Sequence, residues 1–156
     1  MSTPSLNTSA AQGLAVVTGA SVGIGRASAE ALEKAGYAVI AASRRLTTVA
    51  SAATGITTHQ LDVTDADSVA ALERTVAAHP LPLTLLVNNA GIPTHAATIA
   101  DSDITDWRAT YDTNVIGVVQ TTQALLPYLI RNRGDVQFIG STVGRVGYER
   151  GRRWSR

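Results

Sequence analysis

The chain contains no cysteine, which excludes disulfides and thiolate metal sites and suits a reducing cytoplasm without demanding one. No stretch approaches the ~18 to 20 apolar residues that span a bilayer. Residues 1–13 are rich in Ser, Thr and Ala and have neither the basic start nor the apolar run of a signal peptide. The expectation is a soluble, cytoplasmic protein with no membrane partner. Lysine is nearly absent too, Lys34 being the only one. What remains is 156 residues, 45 % hydrophobic and 16 % charged, enough for one domain with a real core. The formal charge of +1 hides an asymmetry. Residues 1–144 carry eight Lys and Arg against eleven acids, a net of −3, whereas residues 145–156 carry five arginines against Glu149, a net of +4.

The chain is organised around Val16-Val17-Thr18-Gly19-Ala20-Ser21-Val22-Gly23-Ile24-Gly25, which runs on into a helical pattern. Short apolar residues, then three glycines, then helical spacing predict strand, tight turn, helix. Glycine lets the backbone bend where a Cβ would clash and lets an anion approach it. The helix behind offers unpaired N–H groups and the positive end of its dipole. Leu14–Thr18 is the first expected strand, and the helix after Gly25 runs to about Ala35 with Ile24, Ala27, Ala31 and Leu32 on its apolar face. Gly36 stops it, and 37–43 is a second strand. A third strand is expected over 56–63, a helix from an Asp65 N-cap through Val76, a fourth strand over 83–87, one long helix over about 104–131, and a fifth strand over 135–140. Strands alternating with helices predict a right-handed, parallel, doubly wound sheet.

The second strand closes in Ser43, Arg44 and Arg45 with no acid, about twenty residues beyond the glycine turn. That ending favours a 2′-phosphate and hence NADP over NAD. Arg44 is preferred to Arg45 as the phosphate's partner, against the alternative of solvated surface charge.

The spacing G-x-x-x-G-x-G behind Thr18 resembles the short-chain dehydrogenase/reductase family. Three further stretches match that family: Leu61-Asp62-Val63-Thr64, Asn88-Asn89-Ala90-Gly91, and Ser141 with the Gly-Ser-Thr-Val-Gly-Arg-Val-Gly-Tyr around it. The resemblance covers about residues 12–148. It implies a Rossmann-like α/β fold with strand order 3-2-1-4-5, incomplete at its C-terminal side. Residues 1–13 would be a flexible lead-in, 14–144 the dinucleotide-binding domain, and 145–156 a basic tail.

The resemblance further implies hydride transfer between a nicotinamide dinucleotide and an alcohol or carbonyl of a small molecule. It makes Thr18, Gly19, Ser21, Val22, Gly23, Ile24 and Gly25 the pyrophosphate turn. Asp62 and the Val63 backbone would meet the adenine, and Asn89, Ala90 and Gly91 would flank the nicotinamide side. Asp62 also reads as a plain turn residue, and that alternative stays open. Ser141 and Asn114 match the family's catalytic serine and asparagine. His59, His79 and His95 receive no role, and no metal is expected.

The resemblance stops short of the tyrosine that acts as acid/base. It normally follows the serine by thirteen residues, where this chain has Trp154, and its lysine partner would fall beyond Arg156. Tyr148, only seven residues past Ser141 and next to a glycine-broken segment, is a decoy. The arginine-rich ending has the composition of an out-of-frame reading, so a truncated or frameshifted chain with impaired turnover is expected. Full-length relatives would be homo-oligomers, and this chain would be poorly soluble because the fifth strand becomes an open edge. The rival readings are a non-catalytic nucleotide-binding or redox-sensing protein and, from the basic tail alone, a nucleic-acid binder, for which the tail is too slight.

Overall fold

In a computed structural model, residues 12–45, 55–93 and 99–141 are described. Five parallel strands, β1 (Leu14–Thr18), β2 (Ala38–Ser43), β3 (Ile56–Gln60), β4 (Leu83–Asn88) and β5 (Asp135–Phe138), form one sheet in the order β3-β2-β1-β4-β5. The expected strand order is the observed one. Because every strand runs the same way, all five carboxyl ends lie along a single edge.

β1 is wholly buried, as a central parallel strand must be when helices cover both faces. Its alternation assigns the faces. Leu14 and Val16 join Ile40, Leu61, Val63 and Leu86 beneath α2 (Ala66–Ala77) and α4 (Gly117–Asn132). Ala15 and Val17 join Val39, Ala41 and Val87 beneath α1 (Gly23–Lys34). The α1 side is built from smaller residues, so that helix sits close to the sheet.

That close seat corrects the expected face of α1. Of the expected face only Leu32 packs against the core; Ile24 is 64 % exposed and Ala27 and Ala31 are exposed, whereas Gly25 and Ala29 are the buried residues. The face that docks is the one with the least side chain, not the one with the most apolar surface. The helix also starts at Gly23, ahead of the expected start after Gly25, so both glycines belong to its first turn. Its end is as predicted: Gly36, at φ 95°, donates to the Glu33 carbonyl while Tyr37 N–H reaches that of Leu32.

α2 begins where the sequence places it, with the Asp65 carboxylate accepting from Asp67 N–H at 3.0 Å. β3 is shorter than expected, since residues 61–64 leave the sheet and turn toward α2. The single long helix expected over 104–131 is three pieces: α3 (Ile104–Tyr111), a π-helical turn at Asp112–Ile116, and α4. Asp103 caps α3 by accepting from Thr105 N–H at 2.8 Å. α2 and α4 are joined by Tyr128, whose hydroxyl donates to Glu73 at 3.0 Å while Arg131 lies over its ring. No described helix is long and apolar enough to cross a membrane.

Candidate functional site

The three glycines after β1 do different work. A Cβ on Gly19, which has φ 65°, would stand 2.8 Å from the Ala90 Cα, and one on Gly25 would collide with the Asn89 amide and the Gly19 carbonyl. These two let the turn close onto the end of β4. Gly23, at φ 59°, would point a Cβ into open space. The turn is therefore packed tight on its inner side and left open on its outer side.

α1 starts beneath that opening with Val22 as its N-cap residue, no side-chain cap and no acid in its first turn. Neither the N-cap side chain nor an acid of the first turn thus offsets the positive end of the dipole at this helix start. Val22, 63 % exposed, and Ile24 flank it with apolar surface. Ala20 N–H bonds to the Ala42 carbonyl, which ties the turn to the end of β2.

The β4 end explains the paired asparagines. Asn88 is buried and its amide donates to Thr122 Oγ1 at 3.0 Å. Asn89 spends its amide N–H groups on the carbonyls of Thr18 at 2.9 Å and Gly19 at 3.2 Å. The Thr18 hydroxyl accepts from the N–H groups of Asn89 and Ala90 at 3.0 and 2.9 Å. Thr18 and Asn89 thus face inward as a brace between β1 and β4. Their side chains shape the turn from behind rather than line its open side.

Asn114 sits in the π turn, exposed at the same edge. Its Oδ1 accepts from Ile92 N–H at 2.8 Å and its Nδ2 donates to the Ile92 carbonyl at 2.9 Å. A Cβ on Gly91 would stand 3.2 Å from that Oδ1, so Gly91 makes room for the clamp. A straight α-helix through 104–131 would rotate this amide elsewhere; the extra residue of the π turn aims it at the β4 loop. Helical periodicity carries no sign of that insertion, so the π turn escaped the sequence reading. Asn88–Thr122 was equally invisible, although a buried asparagine implies that some partner exists.

The β2 and β3 ends form the other half of the edge. Arg44 and Arg45 are exposed, and neither is in an ion pair among the described residues. Asp62 accepts from the backbone N–H and the hydroxyl of Thr64 at 2.9 and 2.7 Å. Those bonds, with a smaller contribution from the nearby Arg44 charge, hold its carboxyl below the usual carboxylate range. The turn role of Asp62 is therefore real, and it leaves an anionic group facing an arginine across an open cleft that His59, Gln60, Asp65 and Ser68 also line. Val63 is buried, its side chain pressed against Gly117, so only its backbone is available to a ligand.

Ser141 follows β5 and is exposed. Tyr148, Trp154 and the basic tail lie outside the described residues, as does His95. Among the described residues no group of three His, Cys, Asp or Glu side chains could hold a metal. The sheet thus collects at one edge the N-terminal end of α1, two exposed arginines, an acid, a clamped asparagine and a serine.

A family model described as short chain dehydrogenase matches residues 13–155. Serine 3-dehydrogenase of Agrobacterium fabrum is 34 % identical over 143 residues, which cover 87 % of this chain and 56 % of the relative. The NADP-dependent 3-hydroxy acid dehydrogenase YdfG of Salmonella typhi is 32 % identical, over 88 % of this chain and 58 % of the relative. Among solved structures, the closed form of a serine dehydrogenase complexed with NADP+ is similar with a TM-score of 0.75 and 31 % identity, over 86 % of this chain and 56 % of that one. The chain spans a little over half the length of these relatives. Since the match runs through all five strands and the turns between them, the chain belongs to the short chain dehydrogenase family.

Proposed function

We propose that this sheet edge is the NADP site of an oxidoreductase that interconverts an alcohol and a carbonyl. The observation that carries the reading is the uncapped start of α1 beneath the open side of Gly23, on the same edge as the exposed Arg44 and Arg45. A dinucleotide fits these groups: its pyrophosphate against the α1 N–H groups, and a 2′-phosphate against a guanidinium. Asp62 and the Val63 backbone stand where an adenine would be met, and Ala90 and Gly91 border the nicotinamide side. NADP is favoured over NAD because the strand end carries arginines in place of an acid. The named cofactors of the relatives support the same choice.

When bound, the cofactor supplies or accepts the hydride. The chain's own residues do the rest. Ser141 donates a hydrogen bond to the substrate oxygen from the β5 end. Asn114 holds the Gly91–Ile92 backbone through both ends of its amide, which fixes the floor on which substrate and nicotinamide meet. The names of the relatives make small 3-hydroxy acids the substrates to try first.

Trp154 stands at the spacing where the family's tyrosine is expected, and an indole N–H, a donor only, cannot serve as a general acid or base at neutral pH. This chain is therefore read as binding NADPH without turning it over, which also accommodates the non-catalytic nucleotide-binding alternative. NADPH fluorescence titration of the 156-residue chain tests both parts. Saturable binding that Gly23→Ala weakens at least about tenfold, with no NADPH formed when NADP+ is supplied together with serine or 3-hydroxybutyrate, is the expected result. Absence of saturable binding defeats the dinucleotide reading; measurable turnover defeats the argument from Trp154.

A further inference from the structure

Four successive carbonyls at the end of β2 are each engaged by a different part of the molecule. Ala42 accepts from Ala20 N–H of the glycine turn at 3.1 Å, and Ser43 accepts from Leu61 N–H at 3.0 Å. The Arg44 carbonyl accepts from Gln60 Nε2 at 3.5 Å, and that of Arg45 accepts from Ser43 Oγ at 2.6 Å. The first two bonds are made by backbone and continue the sheet. The last two are made by side chains, and they act on the two residues whose guanidinium groups are in no ion pair among the described residues. Gln60 is the last residue of β3 and stands in register with Ser43, so both side chains reach the same turn from adjacent strands.

We propose that Ser43 and Gln60 are positioning residues that set the preference for a 2′-phosphorylated dinucleotide. The inference rests on the NADP reading of the site. A guanidinium recognises a phosphate through a planar fork, and the fork is useful only if its stem starts from a fixed backbone. An unrestrained Arg44–Arg45 segment at a strand end would give its arginines many directions, and each phosphate contact would have to order it. The Ser43 hydroxyl closes the turn from within, and the Gln60 amide holds it to β3. Neither side chain is asked to touch the phosphate.

The test is the ratio of NADPH to NADH affinity, measured by fluorescence titration on the full chain and on Ser43→Ala, Ser43→Thr, Gln60→Met and the Arg44→Ala/Arg45→Ala double variant. Ser43→Ala should lower the ratio about fivefold and Gln60→Met about threefold, the greater part of each change falling on NADPH. Ser43→Thr keeps the hydroxyl on a strand-compatible residue and should restore the ratio. Gln60 is exposed, so its variant remains folded even if Ser43→Ala does not. A ratio unmoved by Ser43→Ala and Gln60→Met, but collapsed by the double arginine variant, overturns the inference and leaves the NADP reading standing. A parent chain with no preference for NADPH overturns both.

Discussion

Thr18 carries more of the site than its size implies. Its hydroxyl is the common acceptor of two backbone N–H groups, those of Asn89 and Ala90, and its own burial leaves no solvent to replace it. Thr18→Val keeps the shape and strands both donors, each costing about 1–3 kcal/mol. The expected loss, about 2–4 kcal/mol in urea unfolding, is a large share of a typical domain's stability of about 5–15 kcal/mol. A loss below about 0.5 kcal/mol would mean that the β4 turn rearranges to find other acceptors. His59 carries a pH dependence. Burial lowers its pKa, and its Nε2 is enclosed without a partner among the described residues while Nδ1 lies 3.3 Å from Thr75 Oγ1. The fold thus favours neutral imidazole. As pH falls through about 6.5 the unfolded chain takes up the proton first, so stability is full above that value and declines below it. Asp62 and Asp103, both lowered chiefly by hydrogen bonds from Thr64 and Thr105, lose their contributions only at more acid pH, beginning near about 4. His59→Gln should flatten stability between about pH 7 and 5 while leaving the acid limb intact; an unchanged slope there would assign it to another group.

At the scale of elements, the end of α4 makes a prediction of opposite signs at adjacent positions. Arg133 adopts a left-handed backbone at φ 53°, its N–H bonding to the Ile130 carbonyl while Gly134 N–H reaches that of Leu129. This is the termination that Gly36 gives α1, with arginine in the strained place. Arg133→Gly should raise stability by about 0.5–1 kcal/mol. Gly134, one residue later, is needed for a different reason. A Cβ there would stand 2.7 Å from the Thr84 carbonyl and 2.9 Å from Leu129, where α4 hands over to β5. Gly134→Ala should lower stability by about 1–3 kcal/mol through overpacking. Thermal melts of the two variants that shift the same way would refute the assignment. The sequence marks this helix stop as an Arg-Gly pair but cannot say which residue turns and which makes room, because that depends on Thr84, on a distant strand.

For the whole molecule, the prominent feature is exposed apolar surface along α3, α4 and β5. Trp107, Tyr111, Val119 and Ile130 along α3 and α4 are exposed, as is Phe138 at β5, whose outer edge has no strand partner among the described residues. Exposed apolar area of this kind promotes association, and an unpaired strand edge promotes it further. The chain should sediment as concentration-dependent aggregates and bind a hydrophobic dye. Ile130→Glu with Phe138→Lys, at positions 69 % and 61 % exposed, should raise the soluble concentration without lowering the thermal midpoint. A chain that stays monomeric to about millimolar concentration without these changes would contradict the prediction.

The local sequence determined most of the elements and their parallel, doubly wound arrangement, while the strand order followed from the family resemblance. Short apolar runs, glycine spacing and the Asp65 cap each act within a few residues, so their geometry is legible along the chain. Tertiary structure decided the tasks of the residues at that edge. It turned Thr18 and Asn89 inward, toward each other from separate strands, and made Gly25 rather than Ile24 the buried face of α1. It also broke the long helix into a π turn so that Asn114 could clamp Ile92. The reason is the same in each case. A hydrogen-bonding side chain serves whichever partner the packing brings within about 3 Å, and no spacing along the chain encodes a partner that arrives from another strand.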